Sequence, residues 1–228
     1  MNPALLLLVD GRFPAGGHTN SAGVEAAVAL GDARDHESLE RYLIERLATT
    51  GRVDAAFAAH TAGASCQARS PALERRMRAA DAEYDARVLS PHLRSTSRTF
   101  GRQLLRAGRP IWPHPLVDAV ADTPGGPHQA IALGALVGAA GGTPIDAASI
   151  AFHHLASAVT TAAVRLLGLD PMAVAAIQAR GASSTEPFLA ETDTWADADP
   201  ADLPADGGSL TEILGDDHAR WDARLFVA

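Results

Sequence analysis

The sequence contains no lysine, so all 19 of its basic residues are arginine. A phosphate-binding loop of the Walker type needs a lysine after its glycines, and that kind of nucleotide site is therefore excluded. Acidic residues outnumber basic ones and give a net charge of −8. This balance argues against a protein that binds nucleic acid through a basic face, so we expect no nucleic-acid partner.

Cysteine and long hydrophobic runs are also scarce. The single Cys66 excludes an intramolecular disulfide and a Cys-x-x-Cys metal site, and it indicates a reducing, cytoplasmic location. We interpret Cys66 as a small apolar filler rather than a catalytic thiol. The apolar run at residues 4–9 is short and follows no basic residue, so we expect no secretory signal. The run at residues 131–140 is interrupted by glycines, which predicts a buried helix and no membrane span.

The composition favours helices. Alanine makes up about a fifth of the chain and aromatic residues 5%, and apolar residues recur at helical spacing without the period of two that is typical of strands. A capping residue precedes a proline at four predicted helix starts: Ser70, Ser90, Thr143 and Asp170. Glycines predict five helix ends: Gly31, Gly108, Gly141, Gly168 and Gly181. The sequence thus predicts an all-α, single-domain helical bundle of about eight to ten helices.

The C-terminal part differs in composition from the rest. Residues 181–215 are acidic and have few apolar anchors, which is typical of a mobile segment. Hydrophobic residues return after it: Trp221, Leu225, Phe226 and Val227. We therefore divide the chain into a helical body, residues 1–180, and an acidic, partly flexible tail with an apolar end, residues 181–228. The apolar end indicates docking onto the body or onto a partner.

A glycine-rich stretch, FPAGGHTNSAGVEAAVA, occupies residues 13–29. Its glycines do not have the G-x-G-x-x-G spacing of a dinucleotide site. We predict that Gly16 and Gly17 form a structural turn before a helix that starts near Ser21, with Asn20 or Ser21 as its cap. A contact surface made by the exposed turn, including His18, is the alternative.

Four arginines recur every fourth residue from Arg94 to Arg106 and so lie along one helix face. Such a face is either paired with acids inside the protein or docks an acidic partner. It would also be able to supply one arginine to a phosphate.

Chemistry-bearing motifs are missing. His153 and His154 are adjacent and point about 100° apart on a helix, so they do not ligate one metal easily. The sequence has neither a His-x-x-x-His pair nor a Gly-x-Ser-x-Gly elbow. We therefore predict no catalytic residue, no metal ligand and no stably bound cofactor. These features suit a binding protein better than an enzyme.

Several stretches, in order, resemble the urease accessory protein F family. The turn at residues 13–29 resembles its Pro-x-Gly-Gly turn and Ser-x-Gly-x-Glu helix start, and RSTSRTFGRQLL resembles its Arg-x-x-Ser-x-x-Met-Gly-x-x-Leu segment. PHQAIALGALVGAAGG, SAVTTAAVRLLGLDP and the terminal WDARLFVA are further matches. Phe100 stands in place of the commoner methionine, and residues 18–20 and 167–170 also depart from the pattern, so we place the chain in a divergent, actinobacterial-like branch.

The resemblance implies a helical homodimer without catalytic activity. It implies a scaffold that binds a D- or H-type accessory protein and recruits a nickel-carrying GTPase, so that Ni²⁺ transits the complex on its way to apo-urease. The partner-binding residues that it implies are Pro14, Gly16, Gly17, His18, Ser21, Glu25, Arg94, Ser97, Arg98, Gly101, Arg165 and Arg224.

Two alternatives remain open at this stage. A ligand-responsive helical regulatory protein fits the composition, but the first fifty residues show no basic helix that would read DNA. An arginine-donating activator of a partner GTPase would use Arg94, Arg98 or Arg165.

Overall fold

The computed structural model of the protein describes residues 2–227, apart from the side chains of His18, Ser209, Leu210 and Thr211. The fold is all-α, as predicted, and the described residues contain no strand. Ten α-helices in this part of the chain have seven or more residues. The α-helices, in chain order, are α1 (Leu6–Val9), α2 (Val24–Leu30), α3 (His36–Arg46), α4 (Arg52–Gly63), α5 (Pro71–Arg87), α6 (Pro91–Gly108), α7 (Pro115–Ala121), α8 (Gln129–Ala139), α9 (Pro144–Leu167), α10 (Pro171–Ser183), α11 (Glu186–Leu189), α12 (Thr192–Asp197) and α13 (Ser209–His218).

Helix α8 forms the centre of the core and packs against α4, α6, α7 and α9. Every residue from Ala130 to Gly138 is buried. A Cβ atom at Gly134 would overlap the backbone carbonyl of Ala58 on α4. The small residues of α4 and α8 therefore let the two backbones approach closely, which explains why an alanine-rich chain packs well with few aromatic residues.

Helix α9 is the longest helix and packs against α4, α8 and α10. By length and composition alone, it is apolar enough to cross a membrane. Its inward stripe, which includes Ile150, Phe152 and Val159, is instead buried in the protein core. The same sequence pattern is expected for the central helix of a soluble bundle.

The four predicted caps are all present at the predicted helix starts. Ser70 and Ser90 accept hydrogen bonds from the backbone N–H groups three residues later, and Asp170 accepts from the two that open α10. Thr143 and Asp146 form a reciprocal capping box. These local signals fix where α5, α6, α9 and α10 begin.

The predicted helix end at Gly181 is wrong, whereas Gly31 and Gly168 cap their helices in the left-handed conformation. Gly181 lies inside α10 and is buried. A Cβ atom there would meet the side chains of Leu43 and Leu47 at 2.9–3.3 Å. This glycine therefore allows α10 to pack closely on the helix α3 side of the core and does not end the helix.

The acidic segment after α10 is helical and packs against the body. Trp195 of α12 is buried, and its carbonyl oxygen lies 3.2 Å from Nδ1 of the buried His60. Arg76 donates to His60 and to the carbonyl of Ala196. The boundary predicted at residue 180 falls inside α10, and the division into two parts and the flexibility of the tail stay predictions.

Candidate partner-binding surface

The glycine turn, residues 13–23, joins the first helix to α2. Gly16 and Gly23 have φ angles of 77° and 84°, in the left-handed region that glycine adopts without strain. Pro14 and Gly17 are exposed at the surface. The side chain of His18, which the sequence places in the same turn, is outside the described residues.

Helix α2 begins at Val24, three residues later than predicted. Ala22 has a φ of 51°, and together with Gly23 it forms two successive left-handed residues, which a right-handed helix does not include. Asn20 therefore does not cap the helix: its side chain accepts a hydrogen bond from the Ala22 N–H, inside the turn. Ser21 is buried, and its Oγ accepts a long hydrogen bond of 3.5 Å from the Glu25 N–H, although Gly23 occupies the cap position.

Glu25, in the first turn of α2, binds the C-terminal end of the chain. Its Oε2 atom accepts hydrogen bonds from His218 Nε2 at 2.8 Å and from the Phe226 N–H at 3.1 Å. Its Oε1 atom accepts from the Leu225 N–H at 2.8 Å. The carboxylate is 8% exposed, so these three donors replace the water that it loses on burial.

The residues from His218 to Val227, here called the C-terminal clasp, close over the glycine turn. The Val227 N–H donates to the Thr19 carbonyl at 2.8 Å, and the Val227 carbonyl lies 3.2 Å from His92 Nε2 at the start of α6. The Phe226 ring is buried beneath the guanidinium of Arg165, 4.8 Å from the ring centroid. The Phe226 ring therefore docks on the body, whereas Leu225 and Val227 stay 62% and 41% exposed.

Arg165 and Arg224 are the two predicted site arginines near this clasp, and both are exposed. Arg224 donates to the Ala219 carbonyl at 3.2 Å, within the clasp itself. Neither guanidinium forms an ion pair with another described residue. Both guanidinium groups are therefore accessible to a partner at the surface.

The predicted site residues on α6 lie at a second location, the α5–α6 corner. Arg98 donates from Nη1 to Asp81 at 2.9 Å and to the Gly126 carbonyl at 2.6 Å, and from Nη2 to Asp85 at 2.8 Å. The Asp81 side chain is 6% exposed. The arginine face is therefore paired with acids inside the protein at this position, which is one of the two interpretations left open by the sequence.

His128 and Ser97 extend this network to the start of α8. Ser97 Oγ accepts from the Gln129 N–H and lies 3.1 Å from His128 Nδ1, while His128 Nε2 lies 3.0 Å from Asp85. Burial lowers the pKa of His128 although two carboxylates lie nearby. Burial opposes the ionisation of Asp85, but hydrogen bonds from Arg98 and His128 outweigh it and lower its pKa. These two pKa shifts are the ones expected for a neutral His128 imidazole that donates a hydrogen bond to the ionised Asp85 carboxylate.

Gly101 and Arg94 complete the α5–α6 corner. A Cβ atom at Gly101 would overlap the carbonyl of Pro127, so the glycine lets α6 lie against the chain that enters α8. Arg94 donates to the carbonyls of Val88 and Leu89, which close the preceding connection. Gly101 thus allows close packing at the corner, and Arg94 holds the α5–α6 connection through hydrogen bonds.

The two locations are joined by α6. Its first turn contacts the C-terminal clasp through His92, and a Cβ atom on Gly16 would meet the side chain of Gln103 further along the helix. His218 and the acids that pair with Arg98 were not predicted from the sequence. Asp81 and Asp85 are four residues apart on α5, which matches the spacing of the arginines on α6. This matching spacing would have allowed the pairing to be predicted from the sequence.

A cavity of about 310 Å³ lies between the glycine turn, α9 and Phe226. Its polar lining includes Asp54, Gln129 and His153. The His153 and His154 rings are 6.4 Å apart at their centroids and tilted by 56°. In the part of the chain that the structure describes, no three His, Cys, Asp or Glu side chains are gathered so that they would hold a metal ion.

Comparison with known proteins identifies the family. The chain matches the UreF family over residues 33–182. It is 38% identical over 226 residues to the urease accessory protein UreF of Mycolicibacterium vanbaalenii, 36% identical over 228 residues to that of Mycobacterium marinum and 31% identical over 224 residues to that of Mycobacterium tuberculosis. Each comparison covers 98% of this chain and 97% of the relative. The chain therefore belongs to the UreF family, whose members are accessory proteins of urease maturation and not enzymes.

Proposed function

We propose that this protein is a scaffold for the GTP-dependent insertion of Ni²⁺ into apo-urease. In this role it binds a D- or H-type accessory protein and recruits the GTPase that carries the nickel ion. The protein is a cytoplasmic homodimer, and Ni²⁺ is cargo that transits the complex rather than a resident cofactor. Membership of a family of urease accessory proteins supports this role over a ligand-responsive regulator.

The observation that carries the proposal is the joint surface of the glycine turn and the C-terminal clasp. Pro14, Gly17, Arg165 and Arg224 are exposed there, and the clasp is attached to the body mainly through the carboxylate of Glu25. A few hydrogen bonds and one buried ring hold the clasp. A partner is therefore able either to bind the closed clasp or to displace it from the body, in both cases without disturbing the helical core.

In this proposal, the exposed arginines Arg165 and Arg224 contact acidic surfaces of the partner proteins. Arg224 has no carboxylate partner among the described residues, so an acidic group on a partner gains a hydrogen-bonded ion pair without breaking one. Arg98, in contrast, already binds two carboxylates and a carbonyl. Its role in partner binding is indirect, because it fixes the helix α6 that supports the clasp.

The first experiment measures complex formation by size-exclusion chromatography with light scattering. The protein is run alone, then with its cognate D- or H-type accessory protein, and then with the GTPase, Mg²⁺ and guanine nucleotide. We expect a dimer that forms a stoichiometric complex with the accessory protein and then binds the GTPase. Arg224→Ala is expected to weaken GTPase recruitment, while Arg220→Ala, an exposed arginine of the same segment, serves as the control.

A second measurement separates docking from stimulation of the GTPase. If Arg165 acts on the phosphates, Arg165→Ala lowers GTP hydrolysis by ~10³-fold or more and leaves the complex intact. If Arg165 is a docking residue, hydrolysis and complex formation fall together. A monomer that binds neither partner protein would contradict the scaffold proposal as a whole.

A further inference from the structure

A second cavity, of about 130 Å³, lies beneath α13 and next to the C-terminal clasp. It is enclosed by α2, by α6 and by the junction between α3 and α4. That junction is a π-helical turn, Leu47–Gly51, which lets the two helices run on without a break in helical geometry. π-Helical turns are rare in proteins, and many of those that occur lie at functional sites.

Arg46 lines this cavity and is 7% exposed. Its Nη1 atom donates to Thr50 Oγ1 at 2.7 Å, and its Nε atom is buried without a hydrogen-bond partner. It forms no ion pair with any residue that the structure describes. A buried guanidinium without a carboxylate is unfavourable, because nothing replaces the water and counter-ions that it loses.

Arg46, Thr50 and Asp54 line the same cavity and lie at intervals of four residues along the chain. The Asp54 carboxylate accepts a hydrogen bond of 2.5 Å from Tyr84 and does not pair directly with Arg46. Burial raises the pKa of Asp54 to about 6, while the Tyr84 hydroxyl and the charge of Arg46 oppose the shift. A basic and an acidic side chain thus line one cavity without a direct hydrogen bond between them.

The other charged groups at the cavity are already paired. Glu212 accepts from the backbone N–H groups of Leu89 and Ser90, and His218 donates to Glu25. Arg87 donates to the Glu83 carboxylate and to five backbone carbonyls. The titratable and charged groups that line the cavity are Arg46, Asp54, Tyr84, Arg87, Glu212 and His218. Among these described side chains, Arg46 is the cation that has no carboxylate partner and a buried Nε–H without an acceptor.

We propose that this cavity binds a small oxyanion, of the size of acetate or phosphate, through the guanidinium of Arg46 and the hydroxyl of Thr50. A planar guanidinium matches two oxygens of a carboxylate or a phosphate at once. The cavity of about 130 Å³ has room for one such anion together with water. An oxyanion that carries a proton also donates to Asp54 across the cavity. This inference does not depend on the proposed role in nickel insertion.

The test is isothermal titration calorimetry of the purified full chain with acetate and with phosphate. Ionic strength is held constant with chloride at pH 7, and chloride alone is the blank. We expect saturable binding that Arg46→Gln weakens by at least ~10-fold, since it removes the charged donor. Arg41→Gln, an exposed arginine on the same helix, is the matched control and leaves the affinity within about twofold.

Two further variants keep the test decisive if Arg46→Gln does not fold. Thr50→Val removes one hydroxyl and is expected to weaken binding about three- to tenfold. Asp54→Asn removes the negative charge that faces Arg46 and is expected to strengthen the binding of acetate, an effect that a damaged fold does not produce. Phosphate binding without acetate binding would assign the site to proton-bearing oxyanions.

A crystal grown with selenate locates the anion directly. The proposal predicts an anomalous selenium peak within hydrogen-bond distance of the Arg46 guanidinium. Heats that match the chloride blank, or equal affinities in the wild type, Arg46→Gln and Arg41→Gln, would overturn it. Ordered water alone between Arg46 and Asp54 at high selenate concentration would do the same.

Discussion

The α5–α6 corner and the C-terminal clasp are both polar networks, but they hold the molecule together in different ways. At the corner, Arg98 pairs with two carboxylates and a carbonyl that belong to the body. At the clasp, one carboxylate, Glu25, binds a segment about 200 residues further along the chain. The corner is part of the cooperative core, whereas the clasp is a local attachment, so mutations at the two places should differ in how far their effects reach.

The largest expected effect is at the corner. Arg98→Ala leaves Asp81 buried without its cation, so we expect the free energy of unfolding to fall by about 3–5 kcal/mol. Urea unfolding measures this loss. Arg106→Ala, an exposed arginine on the same helix, should change it by less than about 0.5 kcal/mol. Equal, small effects of both variants would show that the corner is no part of the core.

Asp54 lies outside both networks and differs from their carboxylates, because it has a hydroxyl partner and no cation in direct contact. Its pKa is raised from 3.8 to about 6, so the folded protein binds the proton more tightly than the unfolded chain. Stability from this group is present below about pH 4 and is lost as the pH rises through 6, by up to about 3 kcal/mol. Asp54→Asn should therefore stabilise the protein at pH 8 and have little effect at pH 4. The same change in stability at both pH values would contradict the shift.

The clasp is expected to respond locally. Glu25→Gln keeps the size of the side chain but removes the charge that strengthens three hydrogen bonds, so clasp opening should become easier by about 2 kcal/mol. Hydrogen exchange at the amides of Leu225 and Phe226 measures this directly. The urea midpoint should change little, and Glu45→Gln, at an exposed acid, is the control. Unchanged amide protection would mean that Glu25 does not hold the clasp.

The smallest effect is expected at the exposed face of the clasp. Arg165→Ala removes the cation above Phe226, and contacts of this kind contribute about 0.5–1 kcal/mol at exposed sites. Hydrogen exchange at Phe226 should therefore accelerate by a few-fold. Arg224→Ala, which loses only a bond to its own segment, should leave it unchanged. An acceleration in Arg224→Ala alone would reverse the assignment of the two arginines.

Features that depend on neighbouring residues were predictable from the sequence. The Ser-Pro, Thr-Pro and Asp-Pro caps mark helix starts because the cap bonds lie within three residues. Gly181 was misread because its reason is contact with Leu43 and Leu47, which no local pattern shows. The helix expected near Ser21 starts later, since the backbone of Ala22 is left-handed, a conformation that favours glycine.

The candidate site was predictable only in part. The resemblance to the family drew attention to the glycine turn, to α6 and to Arg165, and the C-terminal clasp contacts all three. The partners of Glu25 are 193 or more residues away in the chain, and nothing in the spacing of His218 announces this contact. The sequence does not single out Arg46, because its lack of a carboxylate partner is visible only once the helices are packed.

The attachment of the clasp through Glu25 has a consequence for the rate at which a partner binds. If a partner needs the surface beneath the clasp, the observed association rate levels off at the opening rate of the clasp as the partner concentration rises. If a partner reads the closed clasp, the rate increases in proportion to concentration. In the first case Glu25→Gln speeds association, and in the second it slows it. The effect of Glu25→Gln on the association rate therefore distinguishes a partner that needs an open clasp from one that binds the closed clasp.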